Sequence, residues 1–382
     1  MNARAARSRT LPASEAATVT ALVWGISRVL MAIMLLVVVG GGRPLGDALK
    51  GWDAAIYTRL AETGYTEQND HAFFPGLPLV LRGLSRLGAD PAVSGAMIAL
   101  VCSALAAWAL YRLGSQGWGG SRPNPATGAV AASLWLLAPT TVFTTVAYTE
   151  APFCAAAFWA WERARARAWS EAALLAAIAC TLRVSGLFLV GALLLMALFE
   201  NERRRDALWL LVPVMVLATH VVYLHGETGS WTAWYEAQKA GWGREFTGPL
   251  QSLKNTWDAS KPSRWPGRPL VGPVFFAEIV SMLVGIVVTL VCLFRRRWSE
   301  AGWVGVQVIA FASSFWFMSV NRAVLLWFPL YLMVAALLTT PLPGSRGAAR
   351  DARAFTLGAV LALSTVVALA WAWLYYSGQW AS

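Results

Sequence analysis

Apolar stretches separated by short polar links run the whole length of the chain, near residues 21–40, 92–112, 127–146, 148–162, 170–182, 184–200, 207–224, 271–294, 301–319, 323–340 and 354–376. About 20 helical residues are needed to cross roughly 30 Å of hydrocarbon. The pattern therefore predicts an all-α polytopic membrane protein with about 11 transmembrane helices. No segment is left over for a sizeable soluble domain, so residues 1–382 read as a single integral membrane domain. Stretches 170–182 and 184–200 meet at Arg183 without a turn-rich loop, and read either as two short spans or as one long, broken helix. Arg4, Arg7 and Arg9 before the first stretch resemble the start of a signal peptide. That stretch is long and lacks a small-residue cleavage site, which predicts a retained first span.

The polar links set an orientation, because short cytoplasmic loops are enriched in Lys and Arg. A cytoplasmic N-terminus puts five basic clusters on one side: Arg112 and Arg122; Arg163, Arg165 and Arg167; Arg203 to Arg205; Arg295 to Arg297; and Arg346, Arg350 and Arg353. It also puts two long segments, 41–91 and 225–270, and the C-terminus outside the cell membrane. Arg28, seven residues into the first apolar stretch, is then near enough to the inner face to snorkel.

Composition agrees with a bilayer as solvent: 57% of residues are hydrophobic and 13% charged. The net charge of +11 is spread over the links rather than gathered on one face or in a tail, so topology accounts for it better than nucleic acid does. Cys102, Cys154, Cys180 and Cys292 lie in apolar stretches without paired spacing and imply neither disulfides nor zinc.

The chemistry concentrates in the first external loop. Residues 47–65 place Leu49, Trp52, Ile56 and Leu60 at helical spacing and predict an interfacial helix stopped by Gly64. Residues 71–88, with two prolines and the pair Arg82 and Arg86, predict a second interfacial or re-entrant element. The order Trp52-Asp53, Tyr57, Ala61-Glu62-Thr63-Gly64-Tyr65, then His71-Ala72-Phe73-Phe74-Pro75 with Pro78 and Arg82, resembles the first luminal loop of the PIG-V (GPI mannosyltransferase II-like) family. Leu137-Ala138-Pro139-Thr140 with Phe143 and Ala147-Tyr148-Thr149-Glu150 is similar to a second stretch of that family. Leu182-Arg183-Val184-Ser185-Gly186 is similar to a third, and Asn321-Arg322 before Pro329 to a fourth. Val184-Ser185 stands where the eukaryotic pattern has Ser-Asn, so the resemblance is to a divergent bacterial member.

The resemblance implies a GT-C-type fold and a glycosyltransferase that passes mannose from a polyprenyl-phosphate sugar donor to an acceptor hydroxyl on the non-cytoplasmic face, with inversion. The acceptor is a glycolipid, polysaccharide or protein, and membrane lipids surround the site. Asp53 matches the family's catalytic aspartate. A hydroxyl attacking an anomeric carbon needs a base, and the phosphate leaving group needs cations or donors rather than a second acid. Candidates for the phosphate are Arg322, Arg183 and His71, then Arg82; candidates for substrate contacts are Trp52, Tyr57, Phe74, Tyr148 and Glu150. Each has a plainer reading. Asp53 also reads as a solvated acid, Arg183 and Arg322 as snorkelling or capping residues, His71 as a cap, and Glu150 as the ion-pair partner of Arg183.

In the second external segment Trp231, Trp234, Tyr235 and Gln238 share a helical face, which predicts an interfacial helix that borders the lipid entrance or simply anchors the chain to the membrane. Walker A, GxGxxG, HExxH and DxD motifs are absent, and His220 and His225 are five apart rather than four, so no metal or cofactor is expected. Two rival readings remain: a lipid or solute transporter, against which no inverted repeat is found, and a noncatalytic subunit of a mannosyltransferase complex.

Overall fold

Helix α1 (Ala13–Gly40) begins well before the apolar stretch that predicts it, and this changes the place of Arg28 in the bilayer. The computed structural model describes residues 12–200, 204–340 and 347–381. Arg4, Arg7, Arg9, Arg203 and Arg346 lie outside the described residues.

After α1 the chain forms α2 (Leu45–Leu49), α3 (Asp53–Thr63) and α4 (Gly76–Ser85), then α5 (Pro91–Ser115), capped by the Asp90 carboxylate on the amides of Ala92 and Val93. Four short helices follow: α6 (Pro125–Leu136), α7 (Glu150–Arg165), α8 (Trp169–Cys180) and α9 (Ser185–Phe199). Then come α10 (Leu211–Thr228), α11 (Ala233–Trp242), α12 (Pro249–Ala259), α13 (Val271–Phe294) and α14 (Trp298–Ala312). The chain finishes with α15 (Val320–Ala323), α16 (Phe328–Thr339) and α17 (Gly347–Tyr376). Among the described residues there is no strand, only one isolated bridge between Phe246 and Ser314.

Every predicted apolar stretch contains a helix, though those at 127–146 and 301–319 are helical only in their first parts, and the protein is an all-helical polytopic membrane protein. Among the described residues, five helices are long and apolar enough to cross a membrane, and the pair around Trp327, bent by 67°, gives a sixth. Helices α6, α7, α8, α9 and α14 have 12 to 16 residues. A 12-residue helix covers only about 18 Å.

The breaks have local causes. Pro139 keeps Ala138 out of the helical region, so α6 stops at Leu136 and residues 137–149 run irregularly. Pro329 opens α16 after the break at Trp327. Stretches 170–182 and 184–200 are two helices, and the turn between them is tight: a Cβ on Gly186 would lie 2.7 Å from the Cα of Cys180.

Irregular backbone at membrane depth must find its hydrogen bonds inside the protein. For residues 137–149 part of them come from Arg28, beside local turns and the Ser364 hydroxyl on the Leu137 carbonyl. Its guanidinium donates to the Thr144 carbonyl and hydroxyl at 3.0 and 2.8 Å, to Thr141 Oγ1 at 3.0 Å and to Ser27 Oγ at 3.0 Å. Ser27 in turn donates to the Leu136 carbonyl at 2.6 Å. The snorkelling expectation for Arg28 is therefore corrected. It lies deep along α1, 8% exposed, as the clasp of an interior loop.

At the far end of α7 the basic links come together. Arg112 and Arg163 both pair with the buried Glu162, and Arg297 pairs with Glu300 while covering the Trp118 ring at 5.5 Å. The other end of α7, at Glu150, opens on a cavity roughly 20 Å away along the helix.

Candidate active site

The chain enters the site through a strained turn. The expected helix over 47–65 is instead two helices, because Trp52 takes φ +53° and breaks the run between Leu49 and Asp53. Gly51 permits the close approach: a Cβ there would sit 3.0 Å from Cζ of Tyr375, whose hydroxyl donates to the Gly51 carbonyl at 3.0 Å. The Trp52 indole leaves the turn sideways, donating to the Gln379 carbonyl at 3.1 Å and meeting Trp380 edge-on at 5.1 Å. This turn starts α3 at Asp53, where a carboxylate is stabilised by the positive end of the helix.

Asp53 lines a cavity of about 490 Å³ that gathers residues from both long connections. Arg322 Nη1 donates to Asp53 Oδ2 at 2.7 Å, and its Nη2 donates to Ser319 Oγ at 3.0 Å. The same guanidinium lies 5.3 Å from the ring centres of Phe143 and Tyr148 and 3.8 Å from Glu150 Oε1. Arg183 Nη1 pairs with Glu150 Oε1 at 2.6 Å and donates to Thr149 Oγ1 at 3.4 Å, which also meets Tyr57 Oη at 3.3 Å. The Asp53 amide donates to Tyr148 Oη at 3.0 Å. Burial pushes the Tyr57 phenol above the ordinary tyrosine range, so it serves as a neutral hydroxyl.

These side chains are charged groups in pairs, which is how apolar surroundings tolerate them. The N-termini of α3, α7 and α9 all meet the cavity, at Asp53, Thr149-Glu150 and Val184-Ser185. Together with the cations they favour an anionic ligand. Helix breaks account for the convergence, since each break ends a helix at the cavity rather than beyond it. Among the described residues no group of His, Cys, Asp and Glu has the arrangement of a metal site.

The candidates divide in two. Asp53, Tyr57, Phe74, Tyr148, Glu150, Arg183 and Arg322 line the cavity. Trp52, His71 and Arg82 do not. Arg82 caps the C-terminus of α3 through the Ala61 and Leu60 carbonyls at 2.8 and 3.0 Å. His71 stacks on Tyr65 with ring centres 5.8 Å apart, and its Nδ1 faces the Gln68 carbonyl. Trp52 anchors the turn as described. Trp231 lies before α11 rather than on its face, stacked on His225 at 3.8 Å. Trp234, Tyr235 and Gln238 of the expected interfacial face line the cavity, and Arg244 and Gln307 join them without having stood out in the sequence. Arg244 is one basic residue among several in a Trp-rich segment, and only its place directly after Gly243 sets it apart.

Comparison with known proteins gives one family. The family profile described as "Mannosyltransferase (PIG-V)" matches residues 17–222. The GPI alpha-1,6-mannosyltransferase 2 of Cricetulus griseus is 36% identical over 157 residues, covering 38% of this chain and 31% of the relative. The Homo sapiens protein of the same name is likewise 36% identical over 157 residues, with the same coverage of 38% and 31%. The GPI mannosyltransferase 2 of Chaetomium globosum is 30% identical over 136 residues, 31% of this chain and 28% of the relative. The chain thus spans about a third of the length of the curated relatives it matches.

Proposed function

Because the chain belongs to the PIG-V mannosyltransferase family, we propose that it transfers mannose from a polyprenyl-phosphate carrier to an acceptor hydroxyl, with inversion and Asp53 as general base. The observation that carries the reading is the Asp53–Arg322 pair at 2.7 Å, set in a cavity where helix N-termini and arginines favour an anion. No metal or cofactor enters the scheme.

The pair couples the two halves of the reaction. The acceptor oxygen attacks the anomeric carbon, its proton passes to Asp53, and the carbon–oxygen bond to phosphate breaks with its electrons on the phosphate. Proton uptake removes the negative charge that holds Arg322, just as the leaving phosphate gains one. The guanidinium moves from carboxylate to phosphate and stabilises charge where it develops. Tyr148 holds the backbone at Asp53 in place, and Glu150, with Oε2 unpartnered among the described residues, is placed to orient the acceptor. The acceptor class is a glycolipid by analogy with the GPI relatives, with a polysaccharide or protein hydroxyl chemically equivalent.

The convergence of Arg112, Arg163 and Arg297 at the end away from the cavity supports a cytoplasmic N-terminus with the site and C-terminus outside the cell membrane. A composition rich in arginine, alanine and tryptophan and poor in lysine supports a bacterial source. Purified chain in detergent, given radiolabelled polyprenyl-phosphate-mannose and membrane glycolipids, is expected to yield labelled glycolipid. Detergent leaves no compartment to transport into, and a purified chain has no catalytic partner. Failure to transfer under these conditions would turn the account toward a transporter or a noncatalytic subunit.

A further inference from the structure

Arg244 enters the cavity from the connection between α11 and α12, beyond the residues matched by the family profile. Gly243, at φ +61°, closes α11 and gives the chain a left-handed turn directly before it. The next residues are fastened to the end of α14: Thr247 N donates to the Ser313 carbonyl at 2.9 Å, and Phe246 bridges to Ser314. Arg244 is therefore held by a built loop. Its Nη2 donates to the Met318 carbonyl at 3.1 Å, and the guanidinium lies 5.9 Å from the Phe311 ring centre.

Its guanidinium makes no direct ion pair among the described residues of the cavity, where the neighbouring acid Glu245 pairs with Lys239 at 3.0 Å. Among the described residues, Arg322 is paired with Asp53 and Arg183 with Glu150, whereas Arg244 has no carboxylate within ion-pair distance. Burial first, and then repulsion from Arg322, lower its pKa to about 10, against weaker attraction from Asp53 and Glu278. Phe311 beside it belongs to an apolar part of the cavity lining that also includes Leu187, Phe188 and Ala310. A cation next to an apolar wall fits an ester that joins an anionic head to a hydrocarbon tail.

We propose that Arg244 is the cavity's resident ligand for the phosphate of the polyprenyl-phosphate donor, engaged before Arg322 is released from Asp53. This rests on the lipid-linked donor inferred above, and it gives the two arginines different duties. Arg244 binds the phosphate in the ground state, and Arg322 meets the charge that appears on bond breaking.

The test is binding and kinetics with Arg244→Gln and Arg244→Lys in nanodiscs. Arg244→Gln is expected to weaken polyprenyl phosphate binding and raise the donor KM, each by about tenfold or more, as for loss of a charge-assisted hydrogen bond. Its kcat should change much less, and Arg244→Lys should recover part of the affinity. Neutral polyprenol should bind wild type and Arg244→Gln alike. Inorganic phosphate competing with the lipid for wild type but not for Arg244→Gln would show that the headgroup alone is recognised. Equal binding of polyprenyl phosphate by wild type and a stably folded Arg244→Gln overturns the proposal, as does a variant defect that neutral polyprenol shares. A wild-type chain that binds polyprenyl phosphate through Arg244 yet transfers no mannose would refute the transferase reading and leave the Arg244 assignment standing.

Discussion

At the scale of single residues, the first long connection depends on one buried acid. Asp70 accepts two hydrogen bonds from Arg59, at 2.5 and 3.1 Å, and two more from the amides of Thr66 and Glu67. Burial alone would raise its pKa, but these donors outweigh it and hold the carboxyl below the usual range. A folded-state pKa below the unfolded value of about 3.9 means that the unfolded chain takes up the proton first. The pair's contribution is then fully present above pH 4 and is lost as pH falls through the depressed value. Limited proteolysis at residues 64–72 should accelerate below pH 4 in wild type, and Asp70→Asn should be cleaved readily at pH 6 already. Identical pH dependence in the two proteins would contradict this. The same scale shows why some candidate residues were legible in the sequence and others were not. Asp53, Glu150, Arg183 and Arg322 stand out as charges beside apolar stretches, and the fold brings them into one cavity. Arg82 and Trp52 carry equally suggestive chemistry, but their partners are the Leu60, Ala61 and Gln379 carbonyls. Which carbonyls are left without partners is settled only when the helices end, so pattern alone could not tell cap from ligand.

At the scale of elements, the site is made by where helices stop. Proline marks two of the stops in the sequence, at Pro139 and Pro329, while the break at Gly51–Trp52 is hidden because the residues around it keep helical spacing. The clasp formed by Arg28 was hidden for a similar reason. Hydrophobicity begins at residue 21, but α1 begins at Ala13, and only the longer helix places Arg28 in the interior. The irregular segment 137–149 is held from the other side by α5, where a Cβ on Gly95 would fall 2.3 Å from the Ala147 Cβ. Gly95→Val is therefore expected to push Tyr148 and Glu150 out of register, at a cost of about 1 to 3 kcal/mol as for other overpacked interiors. Gly191→Ala, at a helical position with nothing within 4 Å, should be neutral or slightly stabilising. Thermal melts and transfer rates of the two variants check this. Equal behaviour of both would show that α5 does not position the segment.

At the scale of the whole molecule, the legible part was the general plan: apolar stretches, each containing a helix, with basic links between them. The lengths of those helices were less legible, since a stretch of apolar residues carries no mark of where it bends. The cavity follows from both properties together. Short helices end inside the protein, and their N-termini, with paired acids and arginines, set a charged patch in a largely apolar chamber at the end away from the basic links. Sugar transfer in this chamber with Asp53 as the base is the proposed function. It is tested most directly by Asp53→Asn, purified in detergent and assayed with radiolabelled polyprenyl-phosphate-mannose alongside wild type. Transfer is expected to slow by about 10² to 10⁴, the range of general base catalysis, with membrane insertion and polyprenyl phosphate binding retained and some loss of melting temperature from the unpaired Arg322. Transfer by Asp53→Asn at the wild-type rate would contradict it.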